Sequence, residues 1–273
     1  MLRMESENGW WLITHPDHAR LAGAFAEAWG NEIFRAPEPR DRVLFAIASH
    51  DDGWTDRDAH PSVTREGKPS AFSKELVGKY SAFEEIDLAE YLSVRERAVR
   101  MIAEQDPYAG LLVAIHTHDL LTNRADRSTI AEDQLPLLDR FLEQQSIWRQ
   151  QLIGWIQRDF FLDAKEKEAA TIREHFRLLQ ACDNLSLLTC VAYGEPANLL
   201  HPLPLNDGGK VAVEVQPIGS RHFRLDPWPF AEPELTFQFP ARHVDGHGFD
   251  SSAQLEATYH AAPVVELEVT LSV

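Results

Sequence analysis

Hydrophobic residues recur at helical spacing through most of the first 194 residues. The first helix is expected to open with His15-Pro16-Asp17-His18, with Pro16 in the first turn, where proline is tolerated, and Thr14 as the N-terminal cap. Leu21 and Phe25 lie on its apolar face, and Gly30 ends it. This pattern is typical of an amphipathic helix that packs on a core.

The same spacing predicts further helices along this part of the chain. A second helix is expected from Val43 to about Asp51, because Gly53 terminates the apolar run. His50 and Asp51 therefore fall in its last turn. Residues 54–80 are expected to form a long loop, and a loop of that length is usually functional or mobile. Later helical regions are predicted at about 82–105, 108–121, 130–158 and 165–193.

From about residue 196 the spacing changes to an alternation of apolar and polar residues. Alternation over several segments, with Pro and Gly between them, predicts antiparallel strands that are half buried. The alternating residues are Val211, Val213, Val215, Leu235, Phe237, Phe239, Val265, Leu267, Val269 and Leu271. We therefore expect a mainly α protein: a multi-helix bundle over residues 1–195 and a small antiparallel β-rich extension over residues 196–273, with Trp228 and Phe230 in contact with the helices.

Composition narrows the possible partners. The formal net charge of −17 argues against a nucleic-acid partner and against an anionic membrane surface, although it leaves room for a small anionic substrate held by a metal. Cys182 and Cys190 are eight residues apart in one predicted helix, about 12 Å at 1.5 Å per residue, which is too far for a disulfide. Residues 1–20 contain no apolar run of signal-peptide length, and no 18-residue apolar stretch occurs. We expect a cytoplasmic location.

The adjacent pair His50-Asp51 ends an apolar run and is the strongest candidate for chemistry. A carboxylate there must be solvated, paired or bound to a metal, because an isolated buried charge is costly. His18, His116 and Asp183 lie far away in the sequence and could join the pair in a site assembled from several helices. Imidazole and carboxylate together suit Fe, Mn, Zn or Ni, and Asp51 could bridge two cations. We expect one or two divalent transition metal ions.

Each candidate ligand also has a purely structural explanation. His18 stands near a helix N-terminus, where it could be a capping or surface residue. His116 on an apolar helix could be a core histidine, and Asp183 could be a buried acid held by hydrogen bonds. His118 cannot bind a metal together with His116 from a regular helix, because residues two apart point about 200° apart.

The order of these residues resembles that of the HD-domain superfamily, all-α proteins that bind one or two metals between helices. The segment His50-Asp51-Asp52-Gly53-Trp54 is similar to the superfamily pattern His-Asp-x-Gly-Lys/His, with Trp54 at the basic position. Nearly the whole chain more closely resembles a bacterial family of unknown function, DUF3891. The matching segments are Pro16-Asp17-His18, His50 to Trp54, Asp106-Pro107-Tyr108, His116, Asp183-x-x-Ser186-Leu187 and Asp226-Pro227-Trp228-Pro229-Phe230.

The resemblance implies an HD-like helical metal-binding domain in residues 1–195 and favours His116 over His118. The ligands that it implies are His18, His50, Asp51, His116 and Asp183. It also implies a metal-dependent hydrolase, acting on a small phosphoester through a metal-activated water. Positive groups for such a substrate are available in the loop at Arg57, Arg65, Lys68, Lys74 and Lys79, although these could equally be solvated charges.

Asp52 is the candidate catalytic residue, because it stands beside the ligand pair and could act as a general base. It could equally be an ordinary acid at a helix end. Two other functions remain open. One is a di-iron oxygenase of the same superfamily, which is kept open by the uncharged indole of Trp54 at the basic position. The other is a non-catalytic binding or regulatory protein that contains the metal and uses its β-rich tail as the interaction surface.

Overall fold

The structure is a computed structural model that describes residues 1–78 and 87–273. Within them the chain forms eight α-helices and nine β-strands. The helices are α1 (His15–Ala28), α2 (Arg40–Ser49), α3 (Thr55–Asp58), α4 (Leu88–Gln105), α5 (Pro107–Asp119), α6 (Leu135–Arg158), α7 (Ala169–Cys190) and α8 (Ser252–Ala261). None of the helices described is long and apolar enough to cross a membrane.

Seven of the strands build one curled sheet, and two short ones form a separate pair. The strands are β1 (Leu2–Ser6), β2 (Gly9–Ile13), β3 (Ala197–Asn198), β4 (Leu203–Pro204), β5 (Lys210–Val211), β6 (Glu214–Gly219), β7 (His222–Asp226), β8 (Glu234–Asp245) and β9 (Val264–Ser272). The sheet order is β1-β2-β8-β9-β7-β6-β3, and β4 pairs with β5. Among the strand pairs that residues 1–78 and 87–273 form in this sheet, β7–β9 is parallel and the others are antiparallel.

The expectation of a mainly α bundle with only a small β extension is wrong. The protein is about 49% helix and 21% strand, so it is an α+β protein rather than an HD-type helical bundle. The strands that the sequence did not predict lie near the start of the chain, where β1 and β2 form a hairpin. Strand β2 also pairs with β8 in antiparallel orientation, with Trp10 opposite Val244. Strand β2 has no clear alternation, because four of its five residues, Gly9–Ile13, are buried. A period-two search therefore misses it.

The division at residue 195 stays a prediction, but the sheet draws strands from both sides of it. Strands β1 and β2 belong to the first segment, and β3 and β6 to β9 belong to the second. The first residues of the helix expected at about 82–105 lie outside the described residues, and α4 is described from Leu88.

Local signals explain where the helices next to the site begin and end. The side chain of Thr14 accepts a hydrogen bond from the backbone of Asp17, which confirms the predicted cap of α1. Asp106 caps α5 in the same way, by accepting from Ala109, and Pro107 occupies the first turn. Helix α2 ends at Ser49, so His50 and the residue after it follow the helix instead of lying in its last turn.

One hydrophobic core joins the helices to the sheet. Helix α1 packs against α2, α7 and β8, and α5 packs against α2, α4, α6 and α7. The Phe25 ring of α1 meets the Phe237 ring of β8 with centroids 4.8 Å apart. Phe230 lies between Trp29, at 5.7 Å, and Trp228, at 4.9 Å, so Phe230 contacts the residue that ends α1, and Trp228 packs on Phe230. The sheet thereby fixes the position of α1.

We expect Phe230→Ala to lower the free energy of unfolding by about 3–5 kcal/mol, because a fully buried ring leaves a cavity when it is removed. Phe230 is 1% exposed, whereas Phe160 is 84% exposed, so Phe160→Ala is the matched control and should change stability by less than about 0.5 kcal/mol. Urea unfolding followed by circular dichroism measures both. Equal effects of the two substitutions would contradict the packing described here.

Candidate metal centre

Four helices bring five predicted ligands into one buried cluster. His18 comes from α1, His50 and Asp51 follow α2, His116 comes from α5 and Asp183 from α7. Because α1 and α5 each pack against both α2 and α7, the four helices face a common interior. No member of the cluster is more than 7% exposed. Residues that are 165 positions apart in sequence therefore share one small volume.

The donor atoms of the cluster face each other across short distances. His18 Nε2 lies 3.1 Å from Asp51 Oδ2, and His50 Nε2 lies 3.8 Å from the same oxygen. His50 Nε2 lies 3.4 Å from Asp183 Oδ1, and His116 Nε2 lies 3.8 Å from Asp183 Oδ2. The donors form two overlapping triads with all ligand atoms within 4.8 Å: His18, His50 and Asp51, and His50, His116 and Asp183.

Hydrogen bonding defines which nitrogen of His50 carries its proton. Nδ1 lies 2.8 Å from the carbonyl oxygen of Ile47, which can only accept, so Nδ1 is the donor. Nε2 is fully buried and has no hydrogen-bond partner. In the neutral ring, its lone pair points toward carboxylate oxygens of Asp51 and Asp183. A lone pair that faces two carboxylates requires a cation between them, either a proton or a metal ion.

The same argument applies to His18. The hydroxyl of Ser186 donates to the carbonyl oxygen of Asp183 at 2.8 Å. That hydroxyl can therefore only accept from His18 Nδ1, which lies 3.0 Å away. His18 Nε2 then carries the lone pair of the neutral ring and faces Asp51 Oδ2. A ring whose second nitrogen is fixed by an outer hydrogen bond is the usual arrangement of a metal-binding histidine.

His116 completes the second triad without an outer partner. Its Nδ1 is buried and forms no hydrogen bond with any residue that the structure describes. His118, two residues further along α5, belongs to neither triad. The choice of His116 over His118 agrees with the opposite directions expected of residues two apart on a helix.

The charges of the cluster are strongly coupled. Burial opposes ionisation of Asp51, but the Arg95 guanidinium and His50 hold the pKa of that carboxyl well below its usual range. Burial likewise opposes ionisation of Asp183, and its contact with His50 lowers its pKa. Burial would lower the pKa of His50, but the two carboxylates raise it to about 9. Burial lowers the pKa of His116 to about 4.

These observations fit a divalent transition metal. The cluster offers three imidazoles and two ionised carboxylates, a donor set that suits Fe, Mn, Zn or Ni. Neighbouring donors are 3.1–3.8 Å apart, as expected for ligands that each lie about 2.1 Å from a common ion. The buried, unpartnered Nε2 of His50 stands where both triads overlap.

Asp52 is not brought into the cluster. Its carboxylate pairs with Arg20 of α1 at 2.8 Å, and within the described residues no hydrogen bond or ion pair connects it to any of the five ligands. Its catalytic role stays a prediction that this geometry does not support.

Two of the positive loop residues form ion pairs outside the cluster. Arg57 pairs with Glu90, and Lys74 pairs with Glu5. Lys79 lies outside the described residues.

Arg95 contacts the cluster but is not among the candidate residues that the sequence indicates. This α4 residue is 7% exposed, donates to Asp51 Oδ1 at 2.5 Å and contacts the faces of two aromatic rings. A signal was available, because Arg95 lies on the apolar face of its helix beside Tyr91, Val94 and Val99, all of which are apolar or aromatic. A charged residue on such a face needs a buried partner.

Gly53 determines how closely the chain after His50-Asp51 can approach α4. A Cβ atom at Gly53 would clash with the carbonyl oxygen of Val94 and would lie 2.8 Å from the backbone nitrogen of Ala98. The glycine therefore lets the residues after His50-Asp51 pack directly on α4, one residue from Arg95. This close approach brings the guanidinium within reach of the carboxylate.

Comparison with known proteins gives one match. A family described as "Protein of unknown function (DUF3891)" matches residues 1–246, which is most of the chain. No curated protein and no solved structure matches the sequence.

We expect Gly53→Ala to lower the free energy of unfolding by about 1–3 kcal/mol, because the added methyl group must push α4 away from the ligand segment. Gly154 is the matched control, since the nearest atom to its Cβ position is a side-chain nitrogen 3.8 Å away and it lies inside α6. Gly154→Ala should raise stability by about 0.5–1 kcal/mol through helix propensity. Chemical denaturation of both variants tests the opposite signs, and destabilisation by Gly154→Ala alone would contradict this assignment.

Proposed function

The chain belongs to the DUF3891 family of proteins of unknown function, and we propose that it is a metal-dependent hydrolase that cleaves a small phosphoester. The observation that carries the proposal is the buried cluster of His18, His50, Asp51, His116 and Asp183, in which two imidazoles present their lone pairs to carboxylates. A bound divalent ion lowers the pKa of a water that it binds, and so supplies a nucleophile near neutral pH.

The number of donors supports catalysis over a purely structural role. Structural zinc sites are closed by four protein ligands. Each triad of this cluster supplies three donors to an ion and leaves at least one coordination position open. An open position is what a reacting water or substrate requires.

The charge of the cluster supports an anionic substrate. Ligation requires neutral imidazoles, so the charges that remain are those of Asp51, Asp183, Arg95 and the ion. With a divalent ion these leave a net charge of about +1 in a buried space. A negative ligand would neutralise that excess, and a phosphoester oxygen has the necessary charge. The acidic protein as a whole has a locally positive centre.

One contact separates this proposal from a di-iron oxygenase. If Asp51 bridged two irons through both of its oxygens, the second iron would lie beside the Arg95 guanidinium, which donates to Oδ1. The relation to the HD-domain superfamily, which we propose from the order of the ligands alone, likewise does not extend to an all-α fold. We therefore retain the hydrolase and not the oxygenase.

The proposal is tested by metal analysis together with a substrate panel. Protein purified without added metal or chelator should contain Fe, Mn, Ni or Zn by elemental mass spectrometry. After reloading with Mn, Fe, Co or Ni, it should release product from at least one member of a panel of phosphomonoesters, phosphodiesters and nucleotides. A metal-loaded protein that cleaves no phosphoester in the panel would contradict the activity and leave the metal site standing. A protein that takes up no metal would contradict both.

We expect His50→Gln to reduce metal binding at least about 100-fold, because both triads depend on its single lone pair. His175→Gln is the matched control: His175 is also buried, at 7% exposure, but it forms a hydrogen bond with Tyr108 and belongs to neither triad. Equilibrium dialysis against Mn²⁺ measures both affinities. Loss of binding in the His175 variant, or its retention in the His50 variant, would show that the ion binds elsewhere.

A further inference from the structure

Arg95 holds one oxygen of the candidate ligand Asp51. Its Nη1 donates to Asp51 Oδ1 at 2.5 Å, and both side chains are less than 10% exposed. The other oxygen of the same carboxylate, Oδ2, faces His18 Nε2 at 3.1 Å and His50 Nε2 at 3.8 Å. The two oxygens therefore have different neighbours: one faces a guanidinium and the other faces the imidazole lone pairs.

The guanidinium is fixed in this position from several sides. Nε donates to the Tyr91 hydroxyl at 3.2 Å. The guanidinium carbon lies 5.3 Å from the Trp54 ring centroid and 5.2 Å from that of Tyr91. These distances are within the range of cation–π contacts. Trp54 is itself stacked against His15, with ring centroids 4.2 Å apart. Arg95 is thus held as a rigid, permanently charged group beside the cluster.

Arg95 stands where a second ion shared through Asp51 would have to lie. His50 belongs to both triads, but its Nε2 has one lone pair and can bind one ion only. An ion added through Asp51 would need Oδ1, the oxygen to which Arg95 Nη1 donates. A second divalent ion at Oδ1 would also lie against the guanidinium charge, and like charges at such a distance repel strongly in a buried site.

We propose that Arg95 takes the place of a second metal ion and limits the centre to one. In this role Arg95 is a positioning residue, which acts through Asp51 by leaving Oδ2 as its only ligand atom. The inference rests on the proposed metal binding and goes further, because it sets the number of ions. The position of Arg95 also accounts for the indole at the basic position of the His-Asp-x-Gly pattern. Trp54 carries no charge, but its ring contacts the Arg95 guanidinium, which comes from α4.

Manganese titration followed by electron paramagnetic resonance tests this number. The wild-type protein at saturating Mn²⁺ should bind about one ion per chain and give the six-line spectrum of an isolated ion. Arg95→Gln removes the charge, frees Asp51 Oδ1 and adds an amide oxygen, which suits manganese as a ligand. Its content at saturation should rise to about two ions, with a spin-coupled spectrum. Arg95→Lys keeps a cation against Oδ1 and should remain at about one.

Arg97→Met is the matched control for loss of positive charge from α4. Arg97 is 43% exposed and pairs with Asp56 at the surface, so its removal should leave both the ion count and the spectrum unchanged. Two coupled ions in the wild-type protein would overturn the inference while leaving metal binding intact, and this result does not depend on any variant folding. A folded Arg95→Gln protein that still holds one isolated ion would also overturn it. Absence of any bound manganese in the wild-type protein would instead contradict the proposed metal centre itself.

Discussion

Two ionised carboxylates buried between helices are the constraint on which the site depends. Asp51 and Asp183 have their pKa values lowered although both are removed from water. Such charges are tolerated only when they are paired, since an unpaired buried carboxylate costs several kcal/mol or changes its protonation. Arg95 compensates part of the charge. A proton or a metal ion at His50 Nε2, which faces both carboxylates, would compensate more of it.

The sheet matters to this site because it positions a ligand-bearing helix. Helix α1 carries His18 near its start and the aromatic residues Phe25 and Trp29 further along. Those aromatics pack against β8 and against Phe230, which belongs to the segment between β7 and β8. The N-terminal hairpin joins the same sheet next to β8. Strands from both ends of the chain therefore determine where the first imidazole lies.

Some of this could be predicted from the sequence, and the reasons are physical. The five candidate ligands were identifiable from their residue types and from their order along the chain, and the structure brings all five together. The hairpin was missed because β2 is buried on both faces, so its residues lack the alternation that indicates a strand. The role of Asp52 stays a prediction: it is adjacent to the candidate ligands in sequence, but its carboxylate pairs with Arg20.

Arg95 could not be identified from the spacing of the candidate ligands along the chain. It is 44 residues from Asp51 in sequence, and only the packing of α4 against the segment around Gly53 brings the two together. Short motifs describe residues that are close along the chain, whereas the charge balance of a buried site is set by whatever the fold places around it. The unusual Trp54 becomes intelligible only when the guanidinium beside its ring is seen.

The most direct test of the metal centre is a crystal structure of the protein, purified without chelator, with anomalous diffraction data collected on both sides of the absorption edge of the metal found. The account predicts an anomalous peak beside His50 Nε2, within one of the two triads and about 2.0–2.3 Å from the donor atoms of that triad. No peak there, with a direct hydrogen bond from a protonated His50 to Asp183 in its place, would mean that the cluster is a buried hydrogen-bonded network. That result would contradict the central claim.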